Sequence, residues 1–516
     1  MVANVMAAPG AKAGKGLREG TLGLVSSVVI AVSSTAPAYS MAATLGLIVS
    51  VVGVHSPGTL IVSFLPMLCI AYAFRELNKV DPDCGTTFTW TARAFGPRAG
   101  WLGGWGIIAA DVIVMASLSQ IAGRYALLLV GAGGLATQTL WVTTIGVAFI
   151  ALLTWICYRG IEVSARLQQV LLAIEVITLG VLAVTAFVKA GSGHALPGAG
   201  SPSLHWLNPW TGSFSSLSNS FLLAVFIYWG WDCAVSVNEE TKDKAKTPGR
   251  SAVISTVLLV AIFAVFSIAA LTFAGPAFLT RNSGDVLGAM SSLVLGSAAG
   301  KLLILCVLTS TAASAQTTIM PTARAVLAMS AHRALPARFA RMHPRYLTPT
   351  VATVVMGVVS AACFVLLTLA SKNVLADSAS SVGLLIAFYY GLTGFACVWF
   401  FRRELLASPR ALLVRGILPL VGGLALLAAF VLSIKSYWPA SSSYSSFAGI
   451  GGIFLIGVGS LLVGVVLMLI ARRWLPAFFA GQTIPPLRPQ AVADEAPARP
   501  VAAETAAGPG VCGSAA

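Results

Sequence analysis

Charge is the scarcest commodity in this sequence: 32 Lys and Arg and 17 Asp and Glu among 516 residues, 9% in all, against roughly a quarter in soluble domains. That excludes an ordinary water-soluble fold. Histidine is scarce too, and its five copies (His55, His194, His205, His332, His343) fall in connections with no spacing that suits zinc. Of the eight cysteines, Cys69, Cys157, Cys233, Cys306, Cys363 and Cys397 lie in apolar runs, Cys84 in a connection and Cys512 near the end. None suits an external disulfide. A phosphate-binding Walker loop is missing. The residues therefore point to no metal, no cofactor and no enzymatic chemistry.

Apolar length is what the chain has in abundance. Hydrophobic residues make up 57%, with 50 glycines. A bilayer-spanning helix needs roughly 20 mostly apolar residues. About twelve stretches meet that need, at 22–52, 58–77, 101–130, 138–158, 166–188, 217–237, 252–275, 298–328, 350–370, 379–401, 411–434 and 447–471. The fold class expected is an all-α membrane protein surrounded by lipid. The first run is too long for a signal-peptide core and reads as a retained helix. After Trp474 the chain becomes rich in Pro and Ala and poor in large apolar residues. Residues 475–516 therefore read as a disordered tail.

The net charge of +15 does not mark a nucleic-acid binder, because the basic residues alternate between connections and form no single patch. With the N-terminus inside, about 26 of the 32 fall at 75–98, 159–166, 242–250, 324–345, 402–415 and in the two tails. Positive charge concentrates on the cytoplasmic side of membrane proteins. The pattern predicts an even number of spans in the inner membrane, with residues 1–20 and the C-terminal tail both cytoplasmic.

Two of the runs carry helix-breaking residues. The first contains Ser33-Ser34-Thr35-Ala36-Pro37, where proline removes a backbone donor. A simple kink repaired by Ser and Thr is one reading. The sixth contains Phe226-Ile227-Tyr228-Trp229-Gly230-Trp231-Asp232, a glycine between two tryptophans beside a carboxylate. Breaks at corresponding places in two halves point to an inverted-repeat transporter, whose half-helix ends present free backbone groups to a central ligand. Trp229 and Trp231 lie well inside their run, away from the lipid interface where tryptophan usually anchors.

At this point the chain resembles the amino acid-polyamine-organocation (APC) superfamily, over spans 1 to 10. The connection after span 2 carries Glu76-Leu77, Pro82, Gly85-Thr86, Phe95-Gly96-Pro97 and Gly100-Trp101, with Thr86 in place of a second glycine. Span 6 shows the aromatic-Gly-aromatic-acid core followed by Glu239, Glu240, Pro248 and Arg250. After span 8 come Arg324, Ala328-Met329, Leu335-Pro336, His343-Pro344 and Thr348-Pro349, departing from the pattern at His332-Arg333-Ala334. Span 1 departs most, since Ser34-Thr35-Ala36-Pro37 replaces a Gly-x-Gly turn.

The resemblance implies a leucine-transporter-like fold: a transport core over 21–402, built of inverted repeats at about 21–190 and 215–402, with peripheral spans 11 and 12 in 403–474. It also implies a secondary permease of amino acids or related amines, a symporter or an antiporter working by alternating access. Backbone groups of Ser33, Ser34, Thr35, Ala36 and Pro37 would hold a substrate carboxylate, and those of Phe226, Ile227 and Trp229 its amino group. Tyr228, Trp229 and Trp231 would gate the pocket around Gly230 and Asp232.

Buried charges in lipid need a partner, a cavity or a task. Asp111 falls on the pocket-facing side of span 3 in the permeases this chain resembles, one turn before Met115. It is expected either to meet a cationic substrate group or to bond a neighbouring helix. Glu175 stands where proton-coupled relatives often carry lysine; proton uptake and a structural bond to the broken span 1 are both open. Asp232 either contacts the ligand or accepts from backbone amides. Glu239 and Glu240 form either a solvated loop or an inner gate. Arg124 and Lys301, nearer span ends, read as snorkelling residues. The expected partners are a small-molecule substrate, membrane lipid and protons. A membrane sensor on a transporter-like bundle is the alternative; it would normally append a signalling domain, which neither tail resembles.

Overall fold

The computed structural model describes residues 15–210, 214–370 and 373–484. In an apolar medium every backbone N–H and C=O must be paired within the chain, which leaves helices as the economical solution. The chain forms α1 (Leu24–Thr35), α2 (Pro37–Val52), α3 (Ser56–Val80), α4 (Thr87–Phe95), α5 (Pro97–Leu129), α6 (Thr139–Arg159), α7 (Ile161–Gly191), α8 (Phe214–Ile227) and α9 (Cys233–Ser236). The second part continues with α10 (Thr247–Arg281), α11 (Val286–Leu295), α12 (Ser297–Ala331), α13 (Thr350–Ala370) and α14 (Val374–Phe401). Then α15 (Pro409–Ala411) runs through a π turn into α16 (Leu418–Tyr437), followed by α17 (Gly452–Trp474) and α18 (Pro476–Phe479). Among the described residues, ten helical segments are long and apolar enough to cross a membrane. This is an all-α, multi-pass membrane protein.

The bundle is apolar outside and small or hydroxylated inside. Along α13, Ala352, Met356, Ser360 and Phe364 are buried at four-residue spacing, while Val354, Val355, Val358 and Leu366 are exposed. Along α17, Gly457, Leu461 and Gly464 face inward and Leu462, Val466 and Leu469 outward. Without a hydrophobic drive between helices in lipid, close approach through small residues supplies the packing. At the centre α5 packs against α4, α6, α12, α13 and α14, while α10 packs against α1, α2, α3 and α7.

Three short elements differ from the sequence expectation. The connection after α3 contains a buried helix, α4, whose Trp90 is fully enclosed and donates to the Asp81 carbonyl at 2.9 Å. Before α12 the chain inserts α11, capped by Asp285 accepting from Gly288 N–H at 2.9 Å. The expected start of the last span at 447 moves to Gly452, because β1 (Ser446–Phe447) and β2 (Ile450–Gly451) form a hairpin. Its two turn residues, Ala448 and Gly449, both have positive φ, the backbone of a two-residue hairpin turn.

A correction concerns the tail. Residues 475–484 are ordered: α18 buries Phe478 against Phe88, with rings 5.6 Å apart, and Ile484 is buried nearby. Two phenylalanines after Trp474 are enough apolar surface to dock. The remainder of the expected tail, 485–516, and residues 1–14 lie outside the described residues.

Candidate functional site

Two interrupted helices meet at the centre. α1 ends where Ala36 turns to a left-handed conformation (φ 49°, ψ 70°), and Pro37, with its fixed φ and missing N–H, begins α2. α8 ends at Ile227, and the chain passes through Gly230 at φ 117° before α9 resumes. The two breaks touch. A Cβ on Gly230 would stand 2.8 Å from the Ser34 carbonyl carbon and 2.9 Å from the Thr35 nitrogen. Glycine is needed there both for its φ and for the approach.

Beside this contact lies a cavity lined by Ser34, Asp111, Trp229, Gly230, Asp232 and Thr318, with Ile107, Cys233, Ser236, Thr317 and Pro321 completing its wall. The centre of a water molecule can roam about 20 Å³ within it, space for roughly one water and too little for an amino acid. The site is closed in this conformation.

Of the residues singled out from sequence, Ser34, Asp111, Trp229, Gly230 and Asp232 line this cavity. The others do not. Ser33, Thr35, Ala36 and Pro37 are buried in the break itself. Met115, Phe226 and Ile227 are buried in helix packing. Tyr228 packs edge-on against Phe263, and Trp231 against Phe74 and Tyr390.

Asp111 accepts a hydrogen bond from the Thr322 hydroxyl, so it both faces the cavity and bonds a neighbouring helix. Asp232 accepts from Tyr389 Oη at 3.1 Å, and Tyr389 in turn accepts from the Trp229 indole N–H. That chain fixes the carboxylate and the tryptophan together. Thr317, Thr318, Thr322 and Tyr389 escaped the sequence reading. The signal for the threonines was present, since only three alanines and one glutamine interrupt the hydroxyls between Thr309 and Thr318. Tyr389 looks like any aromatic in an apolar run.

Glu175 lies outside this cavity. Its Oε1 accepts from the Ala38 amide at 2.6 Å and from Ser310 Oγ at 2.7 Å, while Ser310 Oγ also accepts from the Tyr39 amide at 3.3 Å. The carboxylate thus caps the start of α2, where unsatisfied amides and the helix dipole favour an anion.

One helical turn beyond Pro321 and Ser236 stands an ion pair. Arg324 grips Glu240 through two parallel hydrogen bonds, its Nη2 at 2.9 Å from Oε1, and both side chains are buried. Breaking such a pair leaves an uncompensated buried charge, a cost of roughly 3–5 kcal/mol. Next to it Lys15 reaches Glu239 Oε1 at 2.6 Å, Asp83 Oδ2 at 2.9 Å and Cys84 Sγ at 3.5 Å. His332 Nε2 meets Asp83 at 3.1 Å. Leu22 pairs with Thr241, and the Thr21 and Leu22 amides donate to the Glu240 carbonyl. Glu239 and Glu240 therefore belong to a packed latch and not to a solvated loop.

Donor atoms of Asp83, Cys84 and Glu239 fall within 4.8 Å of one another, a spacing compatible with a metal. The Lys15 ammonium stands among them as the cation of the cluster. Burial opposes its charge, but Cys84, Asp83 and Glu239 around it hold its pKa well above that of ordinary lysine. Burial likewise opposes ionisation of Asp83, yet Lys15 and His332 hold it well below the usual carboxylate range.

A bundle of membrane-length helices with two broken ones crossing at a small buried cavity that holds two carboxylates defines a class of multi-pass carrier proteins. A family model described as amino acid permease matches residues 22–458, and the chain belongs to that family. An uncharacterized transporter of Mycobacterium tuberculosis is 26% identical over 306 residues, covering 57% of this chain and 62% of its own length. A branched-chain amino acid permease of Bacillus subtilis is 25% identical over 400 residues, 73% of this chain and 80% of that one. An arginine/ornithine antiporter of Lactococcus lactis is 22% identical over 237 residues, 41% and 47%. The match thus spans about three fifths of the length of the mycobacterial relative.

Proposed function

We propose that this chain is a secondary active transporter that carries an amino acid or a related amine across the cytoplasmic membrane by alternating access. The observation that carries this reading is the contact of the two helix breaks, Gly230 against Ser34 and Thr35, at an enclosed cavity bearing two carboxylates. Relatives named for amino acid transport support the substrate class. Nothing in the geometry favours a sensor.

Twelve crossings follow if the first apolar segment, Leu24–Val80, counts as two at Gly53–His55 and if α8 and α9 together make one more. Residues 21–402 then form the core, with repeats at about 21–190 and 215–402 around the cavity, and 403–474 lie at its periphery. The basic connections face the cytoplasm with both termini. On this reading the Arg324–Glu240 pair and the Lys15 latch shut the cytoplasmic side. Glu175, on α7 against the start of α2, is the candidate proton carrier.

The test is uptake of a labelled panel of amino acids and amines into proteoliposomes, with and without a pH gradient and with and without internal substrate. Saturable uptake of at least one member is expected. No uptake of any member under any gradient overturns the transporter reading.

A further inference from the structure

Spacing along the chain marks none of the histidines as metal ligands. The fold makes a pair of two that are far apart in sequence. His55 closes the short turn Gly53–His55 between α2 and α3, and His205 sits in the turn Leu204–Leu207 between α7 and α8. The two turns are pressed together: a Cβ on Gly58 would stand 2.4 Å from the Leu207 carbonyl oxygen. The two imidazoles meet edge to face, with ring centroids 4.7 Å apart and planes at 73°.

Ring contact alone would be packing, but the nitrogens are set as ligands. His55 Nδ1 stands 2.8 Å from the Asn208 carbonyl, which can only accept, so Nδ1 carries the proton and Nε2 is left as the bare, basic nitrogen. A carbonyl holding the far nitrogen is how proteins orient a ligating histidine. Among the described residues nothing engages either ring nitrogen of His205, whose side chain is exposed. The spacing fits as well. A metal ion roughly 2.1 Å from a ring nitrogen lies about 3.2 Å from that ring's centroid, so two imidazoles sharing it at about 90–109° have centroids roughly 4.5–5.2 Å apart.

We propose that His55 and His205 together bind a divalent transition-metal ion of the Zn²⁺ class, with water completing its coordination. Imidazole selects such ions over Mg²⁺ and Ca²⁺, which prefer oxygen. The place of the pair gives binding a consequence. His55 follows α2, the second half of one broken helix, and His205 precedes α8, the first half of the other. An ion held by both ties the two broken helices together at the ends away from the latch, as Gly230 and Ser34 join them at the centre.

The test uses the full chain in detergent, purified without a polyhistidine tag and stripped with EDTA, with Zn²⁺ and Mg²⁺ as probes. Zn²⁺ should bind in equilibrium dialysis and raise the melting temperature, EDTA should reverse both effects, and Mg²⁺ should produce neither. His55→Ala and His205→Ala should each weaken Zn²⁺ binding at least tenfold. In wild type, Zn²⁺ should slow amide hydrogen exchange several-fold in both turns, 53–58 and 203–208. That pattern decides the matter even if either variant folds poorly. Absence of Zn²⁺ binding by wild type overturns the proposal. Binding left unchanged by both substitutions does so too, because the ion then lies on other donors, such as Asp83, Cys84 and Glu239. Exchange slowed in only one of the two turns shows contact with a single histidine and overturns the bridge.

Discussion

Gly230 has two reasons to be glycine, its φ of 117° and the Ser34 and Thr35 backbone beside it, and both can be tested at once. Gly230→Val puts a branched side chain into that contact and into a disfavoured φ. Transport should fall below a tenth of wild type while the protein still inserts and runs as a monodisperse peak in detergent. Normal uptake would mean the two breaks do not need to touch. Glu175 is a harder case, because capping and proton transfer predict different variants. Glu175→Gln keeps an oxygen for the Ala38 amide and Ser310 but cannot ionise. If Glu175 carries the proton, net uptake in that variant loses its dependence on a pH gradient while exchange persists; unchanged dependence leaves only the cap. Glu175→Ala removes the cap as well and should lower thermal stability by about 1 kcal/mol, as loss of a helix N-cap does. At this scale the acidic residues were readable because a charge inside an apolar run stands out. Thr317 and Thr318 stood in a visible run of hydroxyls, but which of them face the cavity is set by packing alone, and Tyr389 carried no mark at all in its apolar run.

The latch is a set of short segments: the stretch 15–22, the turn 81–86, the turn 238–246 and the end of α12. Its charges have a definite pH behaviour. Asp83 is held below the usual carboxylate range, so its contribution is complete above that range and is lost only as pH falls through its lower folded value. Lys15 is held above the usual lysine value, so its contribution is complete below that value and is lost as pH rises through a higher one. Between about pH 5 and pH 9 both remain charged. In a His332→Gln background Lys15→Ala strips the buried Asp83 of both cations, so that burial alone acts on it and favours its protonation; the melting-temperature loss caused by Lys15→Ala should therefore be smaller near pH 5 than near pH 7. An equal loss at both pH values would contradict the assigned charges. The same substitution uncovers Cys84, which is fully buried with Lys15 Nζ 3.5 Å from its sulfur. Maleimide labelling at Cys84 should speed up several-fold in Lys15→Ala, and an unchanged rate would show that the Lys15 side chain does not cover it. Elements of this size escaped the reading of composition. α4, α11 and α18 are too short for a span, and their sequences look like connections until Trp90, Met290 and Phe478 are seen buried. The long helices were legible because twenty apolar residues in a row admit few other structures.

For the molecule as a whole, the distribution of Lys and Arg makes a claim about orientation that the packing alone does not. Cysteines placed singly at Ser192 and Lys244 in a cysteine-free background should differ: the first labelled from outside intact cells, the second only after permeabilisation. The reverse result would invert the assigned orientation. Another consequence reaches into biogenesis. Leu22 pairs with Thr241, and Lys15 reaches Glu239. Lys15 and Leu22 thus find their partners only after some 220 more residues have been made, which at ordinary translation rates takes roughly ten to forty seconds. Until then the first broken helix lacks both its lock and its neighbour at Gly230. The helices made before Gly230 must therefore wait in the membrane as an unfinished intermediate, exposed to whatever insertion factors or proteases recognise one.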